Sequence, residues 1–334
     1  MRTIRMLLLG LAATALVLFP TGGAGASNDP SFKEQWSLGK IGAEAAWART
    51  TGAGIRVGIV DTGVDLEHED LAGKVVESTS CVGADGDQGK CKGSAQDDQG
   101  HGTHVSGIVA AAKDNGKGIA GVAPDAQLVV AKAMNAQGTG NGTDVTAGIK
   151  WVVDHGAKVV NLSLGDPAQP ITALISENEL KEGVDYAWSR GAIAVIASGN
   201  SGTGLGIEGS NFGDMNAIIV GATGPDDKSA SYSTSTGEAK WAVVAPGGAA
   251  DSKKANDIYS TFWINGQKNA YTYLAGTSMA APHVSGAVAL LLAQGYSQAD
   301  AVKRLLETAD KGVGCEAHSP TCAGRINVDK ATAK

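Results

Sequence analysis

The chain has 334 residues, 43% of them hydrophobic and 18% charged, with a formal net charge of −7. This is the profile of a globular protein able to bury a sizeable core, and with no lysine or arginine run it excludes a basic nucleic-acid-binding surface. Glycine is abundant at 47 residues and aromatics make up only 5%, so tight turns and close helix–sheet approaches are expected rather than an aromatic binding face.

Residues 1–26 read as a secretory signal peptide: Arg2 and Arg5, an apolar run from Met6 to Phe19, Pro20, then small residues ending Ala24-Gly25-Ala26. The run is short for a membrane span. The expectation is an extracellular chain, 27–334, with no stable membrane association. From residue 55 strand-like and helix-like patterns alternate. Strands are expected at Ile55–Val60, Gln127–Met134, Lys158–Leu164, Ala192–Ala197, Ile218–Ala222 and Ala242–Ala245. Helices are expected at Val105–Lys113, Val145–His155, Leu180–Arg190, Met279–Ala293 and Gln298–Thr308. Such alternation predicts an α/β fold with a mainly parallel central sheet and helices on both faces. No linker or repeat divides 27–334, so a single domain is expected.

Export places the four cysteines in an oxidising compartment. Cys81 lies near Cys91 and Cys315 near Cys322, which reads as two short-loop disulfides, although three connectivities remain open. A zinc site lacks any CxxC or His-rich spacing.

Three stretches carry candidate chemistry: GIVDTGVD with Asp61, GHGTHVSG with His101 just before a helix, and LAGTSMAAPHVSG with Ser278 at a helix start and Pro282 in its first turn. In open parallel sheets, ligands sit outside the carboxyl ends of the strands. Asp61 and His101 fall at such turns, as do Ser163 and Asn200. A serine hydroxyl is a poor nucleophile unless a base takes its proton, and that base needs an anion to fix its tautomer. Plainer readings compete. DTG occurs in aspartic proteases, but those need two, and this chain has one. His101 and His104 lack the third ligand of a metal motif. His104 and His283, inside helices, are expected to be buried hydrogen-bonding histidines; His68, His155 and His318 lie in polar or loop contexts and look ordinary. The HVSG at 104–107 and again at 283–286 fits two buried helices with similar small faces.

The motifs DTGVD, HGTHVSG and GTSMAAPHVSG, in that order, resemble those of the subtilases. NDPSF, DLAGKVV, GIAGVAPDA and NLSLG are similar to the thermitase-like, calcium-binding branch. The resemblance runs from about residue 28 to 330. It implies a subtilisin-like three-layer fold and a serine endopeptidase of broad specificity. Asp61 would orient, His101 act as general base and acid, Ser278 attack, and Asn200 with the Ser278 N–H form the oxyanion hole. Ser163-Leu164-Gly165 and Gly138-Thr139-Gly140 would hold the peptide between them. Ala197-Ser198-Gly199 would line the primary pocket, with loop 201–216 as its far wall. Structural Ca²⁺ would be bound by Asp29, Asp70, the Asn115 side chain and the carbonyls of Ala112, Lys117 and Ile119, an oxygen-only set. Partners implied are polypeptide substrates and proteinaceous protease inhibitors, with the enzyme a monomer. No separate prodomain is apparent, so folding is expected without a covalent chaperone or with a helper in trans.

Overall fold

In this computed structural model the described residues are 27–164, 173–174, 177–200, 212–318 and 320–334. The expected signal segment 1–26, Gly165 and the 201–211 part of the expected pocket-wall loop lie outside them. In chain order the elements are α1 (Trp36–Ile41), α2 (Ala43–Trp47), β1 (Arg56–Asp61), β2 (Val75–Ser80), α3 (His101–Ala110), β3 (Gln127–Lys132), β4 (Gly140–Asn141) and α4 (Gly142–Asp154). There follow β5 (Val159–Leu162), β6 (Ala173–Leu174), α5 (Glu177–Ser189), β7 (Ile193–Ala197), β8 (Ala217–Thr223) and β9 (Trp241–Pro246). Last come β10 (Ile258–Ile264), β11 (Gln267–Leu274), α6 (Thr277–Ala293), α7 (Gln298–Thr308), β12 (Cys322–Arg325) and α8 (Val328–Thr332).

Eight strands form one sheet in the order β12-β9-β8-β7-β5-β1-β3-β2, and every neighbouring pair is parallel. Strands buried on both faces need apolar residues at successive positions, and Ile193–Ala197 is buried throughout. Alternate residues feed two cores. Val57, Ile59, Val130, Val159 and Val195 face a cluster completed by α3 and α6; Val60, Val129, Val160, Leu162 and Ile196 face one completed by α4 and α5. This is the expected three-layer arrangement. Helix α6 is buried almost all round, and each fully buried Leu or Val on it contributes about 1.5–3 kcal/mol.

The chain leaves β1 for the outer strands β2 and β3, then crosses to the other side of β1 for β5 and everything after it. The strand order therefore diverges around β1. That switch point opens a crevice at the carboxyl ends of β1, β5 and β7.

Some local expectations are corrected. Helix α3 begins at His101 itself, capped by Gly100 at φ 110, so His101 lies in the first turn rather than before it. Pro282 falls in the second turn of α6, not the first. It has no N–H for the carbonyl four residues back, that of Ser278. Cys81 is bonded to Cys91 and Cys315 to Cys322, which settles the connectivity. His104 and His283 are buried and hydrogen-bonded as expected: His104 Nε2 to the Ile258 and Thr272 carbonyls, His283 between Met279 O and Ser37 Oγ. His155 stacks on Trp151 at the end of α4. His68, however, is fully buried, with Nε2 at 2.9 Å from the Ala270 carbonyl of β11, and His318 is also tied into the fold. Neither is an ordinary loop residue.

Candidate active site

Asp61 ends β1, and the next residue turns its amide back onto the carboxylate: Thr62 N–H donates to Asp61 Oδ1 at 2.7 Å. His101 Nδ1 meets the same oxygen at 2.7 Å, with both side chains buried. An imidazole that gives its Nδ1–H to a carboxylate keeps Nε2 as its basic nitrogen. Gly102 makes this approach possible, since a Cβ there would overlap the Gly63 carbonyl and press on Asp61.

What holds α3 at that distance is Asp97. Its buried carboxylate accepts from Thr62 Oγ1 (3.0 Å), Gln99 N (3.1 Å), Gly100 N (3.0 Å), Thr103 N (3.0 Å) and Thr103 Oγ1 (2.6 Å). Thr62 Oγ1 also accepts from Gly102 N at 2.9 Å. Asp97 thus caps the helix that carries His101 and bonds the residue beside Asp61. Lys132, opposite Asp61 in the β1–β3 register, closes the back of this network by donating to Thr62 O and Asp98 Oδ1, each at 2.6 Å.

Ser278 is the second residue of α6, which packs against α3. Its Oγ donates to the Ser163 carbonyl at 3.3 Å. The Ser278 carbonyl, left free by Pro282, accepts from Ser163 Oγ at 2.8 Å, and Asn161 Nδ2 donates to that same Oγ at 2.8 Å. The end of β5 and the start of α6 are thereby bonded both ways.

Asn200 follows β7. Its Oδ1 accepts from Thr277 N (2.8 Å) and Thr277 Oγ1 (2.9 Å). Two donors on the oxygen fix which way the amide points. Nδ2 is therefore turned beside Gly276, at the start of α6; it is buried and has no hydrogen-bond partner among the described residues. Ala197, Ser198 and the buried Leu164 line the adjoining strand ends. Gly140 pairs with Ala173 in the small β4–β6 ladder, whereas Gly138 (φ 71) and Thr139 precede it in a turn closed by Asn135 N–H donating to Thr139 O.

The expected cation ligands converge on the loop 112–119. Asp70 Oδ1 accepts from Asn115 Nδ2 (2.9 Å), and Oδ2 from Ile119 N (2.8 Å) and Tyr271 OH (2.9 Å). Asp29 accepts from Gly116 N (3.0 Å) and Asp114 N (2.9 Å). Both carboxylates are buried, and burial pushes the Asp70 carboxyl up despite those three donors. Neither pairs with a basic side chain among the described residues; nearby Lys113 and Lys117 pair with Asp114 and Glu69 instead. Two buried carboxylates drawn to one loop, with no basic side chain paired to either among the described residues, fit a hard cation. Asn115 Oδ1 is occupied by Lys117 N–H, so as a ligand the amide would have to turn over. Among the described residues no three His, Cys, Asp or Glu side chains cluster as a metal site, so a cation here would depend on amide and carbonyl oxygens as well.

The family model described as "Subtilase family" matches residues 52–324. The chain belongs to the subtilase family. It is 38% identical to the thermitase of Thermoactinomyces vulgaris over 305 residues, 91% of this chain and 98% of that one. A thermophilic serine proteinase of Bacillus sp. (strain AK1) is 39% identical over 84% of this chain and 63% of its own length, and subtilisin DY of Bacillus licheniformis is 38% identical over 73% and 78%. A solved protease of Pseudoalteromonas arctica PAMC 21717 superposes with a TM-score of 0.77 at 26% identity, covering 92% of this chain and 99% of that one. This subtilase is accordingly a serine endopeptidase, a hydrolase acting on polypeptides. Among its described residues no helix is long and apolar enough to cross a membrane.

Reading the sequence missed Asp97, Thr62, Thr277 and Lys132 as parts of the site. Asp97 carried no ordinary cap signal, because it stands three residues before the N-cap Gly100 and reaches Thr103 N only through the loop's turn. Thr277 had none either, because its role appears only when β7 and α6 meet.

Proposed function

We propose that the subtilase cleaves peptide bonds through an acyl-enzyme on Ser278. Ser278 Oγ attacks the scissile carbonyl carbon while His101 Nε2 takes its proton, and Asp61 steadies the imidazolium. The proton then passes to the leaving amine as the C–N bond breaks. Water repeats the sequence on the ester and frees Ser278. Asn200 Nδ2 and the Ser278 N–H receive the negative oxygen of each tetrahedral intermediate.

The observation that carries this reading is the buried, unpartnered Asn200 Nδ2. A donor left this way costs about 1–3 kcal/mol. The cost is recovered only when charge develops beside it, so the interaction favours the transition state over the ground state. A fluorophosphonate probe tests the reading: one covalent adduct on Ser278 of the folded chain is expected, none on Ser278→Ala, and absence of the adduct from the native protein would overturn it.

Around this centre, Ser163-Leu164-Gly165 and Gly138-Thr139-Gly140 hold an extended peptide as an added strand. Ala197-Ser198-Gly199 line the primary pocket, with broad specificity. Ca²⁺ bound by Asp29, Asp70, Asn115 and the carbonyls of Ala112, Lys117 and Ile119 would neutralise the two carboxylates and tie the N-terminal segment to the loop 112–119. The signal segment 1–26 directs export, and 27–334 works outside the cell as one monomeric catalytic domain open to protein inhibitors.

A further inference from the structure

We propose that His318, carried in the loop closed by the Cys315–Cys322 disulfide, is a positioning residue for the oxyanion side of the site; the proposal rests on the reading of Asn200 as an oxyanion donor. The disulfide ties Cys315 to the first residue of β12 and folds residues 315–318 over β8, where a Cβ on Gly221 would overlap the His318 ring. His318 grips the segment 229–236 at both ends. Thr236 N–H donates to Nδ1 at 3.3 Å, which leaves the ring proton on Nε2, and Nε2–H donates to Ser229 Oγ at 3.2 Å. Glu316 adds a longer contact, accepting from Ser229 N at 3.4 Å.

Between those ends the segment braces the turn that presents Asn200. Ser233 Oγ accepts from Ala222 N at 2.9 Å. Thr234 N–H donates to Gly199 O at 2.9 Å, and Ser198 Oγ donates to Thr234 O at 2.8 Å. Gly199, at φ 106, has Thr234 Oγ1 only 3.1 Å from where a Cβ would stand, so the Thr234 side chain packs directly against its backbone. The contacts therefore run unbroken from His318, through Thr236 and Thr234, to Ser198-Gly199 and on to Asn200. Burial holds the imidazole pKa down at about 4, so near neutral pH the ring is uncharged and Nδ1 can accept from Thr236.

The test compares His318→Ala, His318→Gln, Cys315→Ser/Cys322→Ser, Asn200→Ala and Asn200→Ala/His318→Ala on a chromogenic peptide anilide, each variant first checked for native circular dichroism. His318→Ala is expected to lower kcat about tenfold with KM unchanged, because displacing a donor costs less than the roughly hundred- to thousandfold of removing one. Gln, which can both accept and donate, should recover part of the loss. In the Asn200→Ala background His318→Ala should cost nothing further. The disulfide variant keeps the histidine but opens its loop, and reads the same quantity should His318→Ala fail to fold; Cys81→Ser/Cys91→Ser, remote from this path, should keep its kcat. Wild-type kcat in both His318→Ala and the disulfide variant would overturn the proposal, as would a change confined to KM or an undiminished loss in the double variant. If Asn200→Ala itself leaves kcat unaltered, the reading of Asn200 falls first, and this proposal with it.

Discussion

At the scale of single residues, two substitutions separate chemistry from folding. Ser278→Ala removes the hydroxyl but leaves the Ser163 Oγ bond to the Ser278 carbonyl in place, so peptide hydrolysis should vanish while the melting temperature stays near that of the parent. Asn200→Ala should lower kcat about 100- to 1000-fold with little change in KM, a magnitude taken from a subtilisin's own asparagine donor and not deduced from the distances here. Steady-state kinetics would count against the donor role if KM alone moved. The placement of Asp61, His101, Ser278 and Asn200 was legible because each stands at a strand end or helix start within a long motif. His68 and His318 were not. Their neighbours in sequence are polar, and what ties them in is Ala270 on a distant strand for one and the Ser229–Thr236 segment for the other.

At the scale of elements, α3 depends on Asp97. Asp97→Ala strips the acceptor from five donors, several of them buried, and should cost about 1–3 kcal/mol in urea unfolding together with a fall in kcat. An unchanged unfolding midpoint would show that water replaces the carboxylate without loss. The elements read correctly from sequence were those with unbroken apolar runs or clear helical spacing. Strand β7 is one, and α7, found at the expected Gln298–Thr308, is another. The β10–β11 hairpin went unseen because its residues are mostly half-exposed and mixed in polarity. Strand β2 (VVESTS) is an edge strand with one buried residue, and β12 (CAGR) is four residues with no apolar run. An edge or a ribbon needs little hydrophobicity to pair, so it leaves little trace in the pattern.

At the scale of the molecule, two buried histidines and the half-buried His318 set an acid limit. Burial, aided by the nearby His101 and His283, lowers the His104 pKa to about 3, and burial lowers His283 and His318 to about 4. Unfolded, each titrates near 6.5, so below that pH the unfolded chain takes up protons that the folded chain refuses. Their contribution is complete above about pH 6.5 and is lost as pH falls toward 4, at about 1.4 kcal/mol per pH unit for each histidine. Asp257, whose carboxyl burial pushes up, opposes this only nearer the carboxylate range. Denaturant titrations between pH 8 and 4 should show the decline, and a flat profile would contradict it. A chelator should lower the melting temperature by several degrees, with added Ca²⁺ restoring it; identical melting with and without chelator would remove the cation from the assignment.

Helix α6 is at once buried against the sheet over nearly its whole length and the carrier of Ser278. Asp61 and His101 are synthesised early, whereas α6 emerges only after residues 1–276 have left the ribosome. On the proposed mechanism, a chain that ends before α6 carries the base and lacks the nucleophile. Seating α6 would therefore supply the nucleophile and a large part of the core together, so activity and stability should be gained in the same folding step.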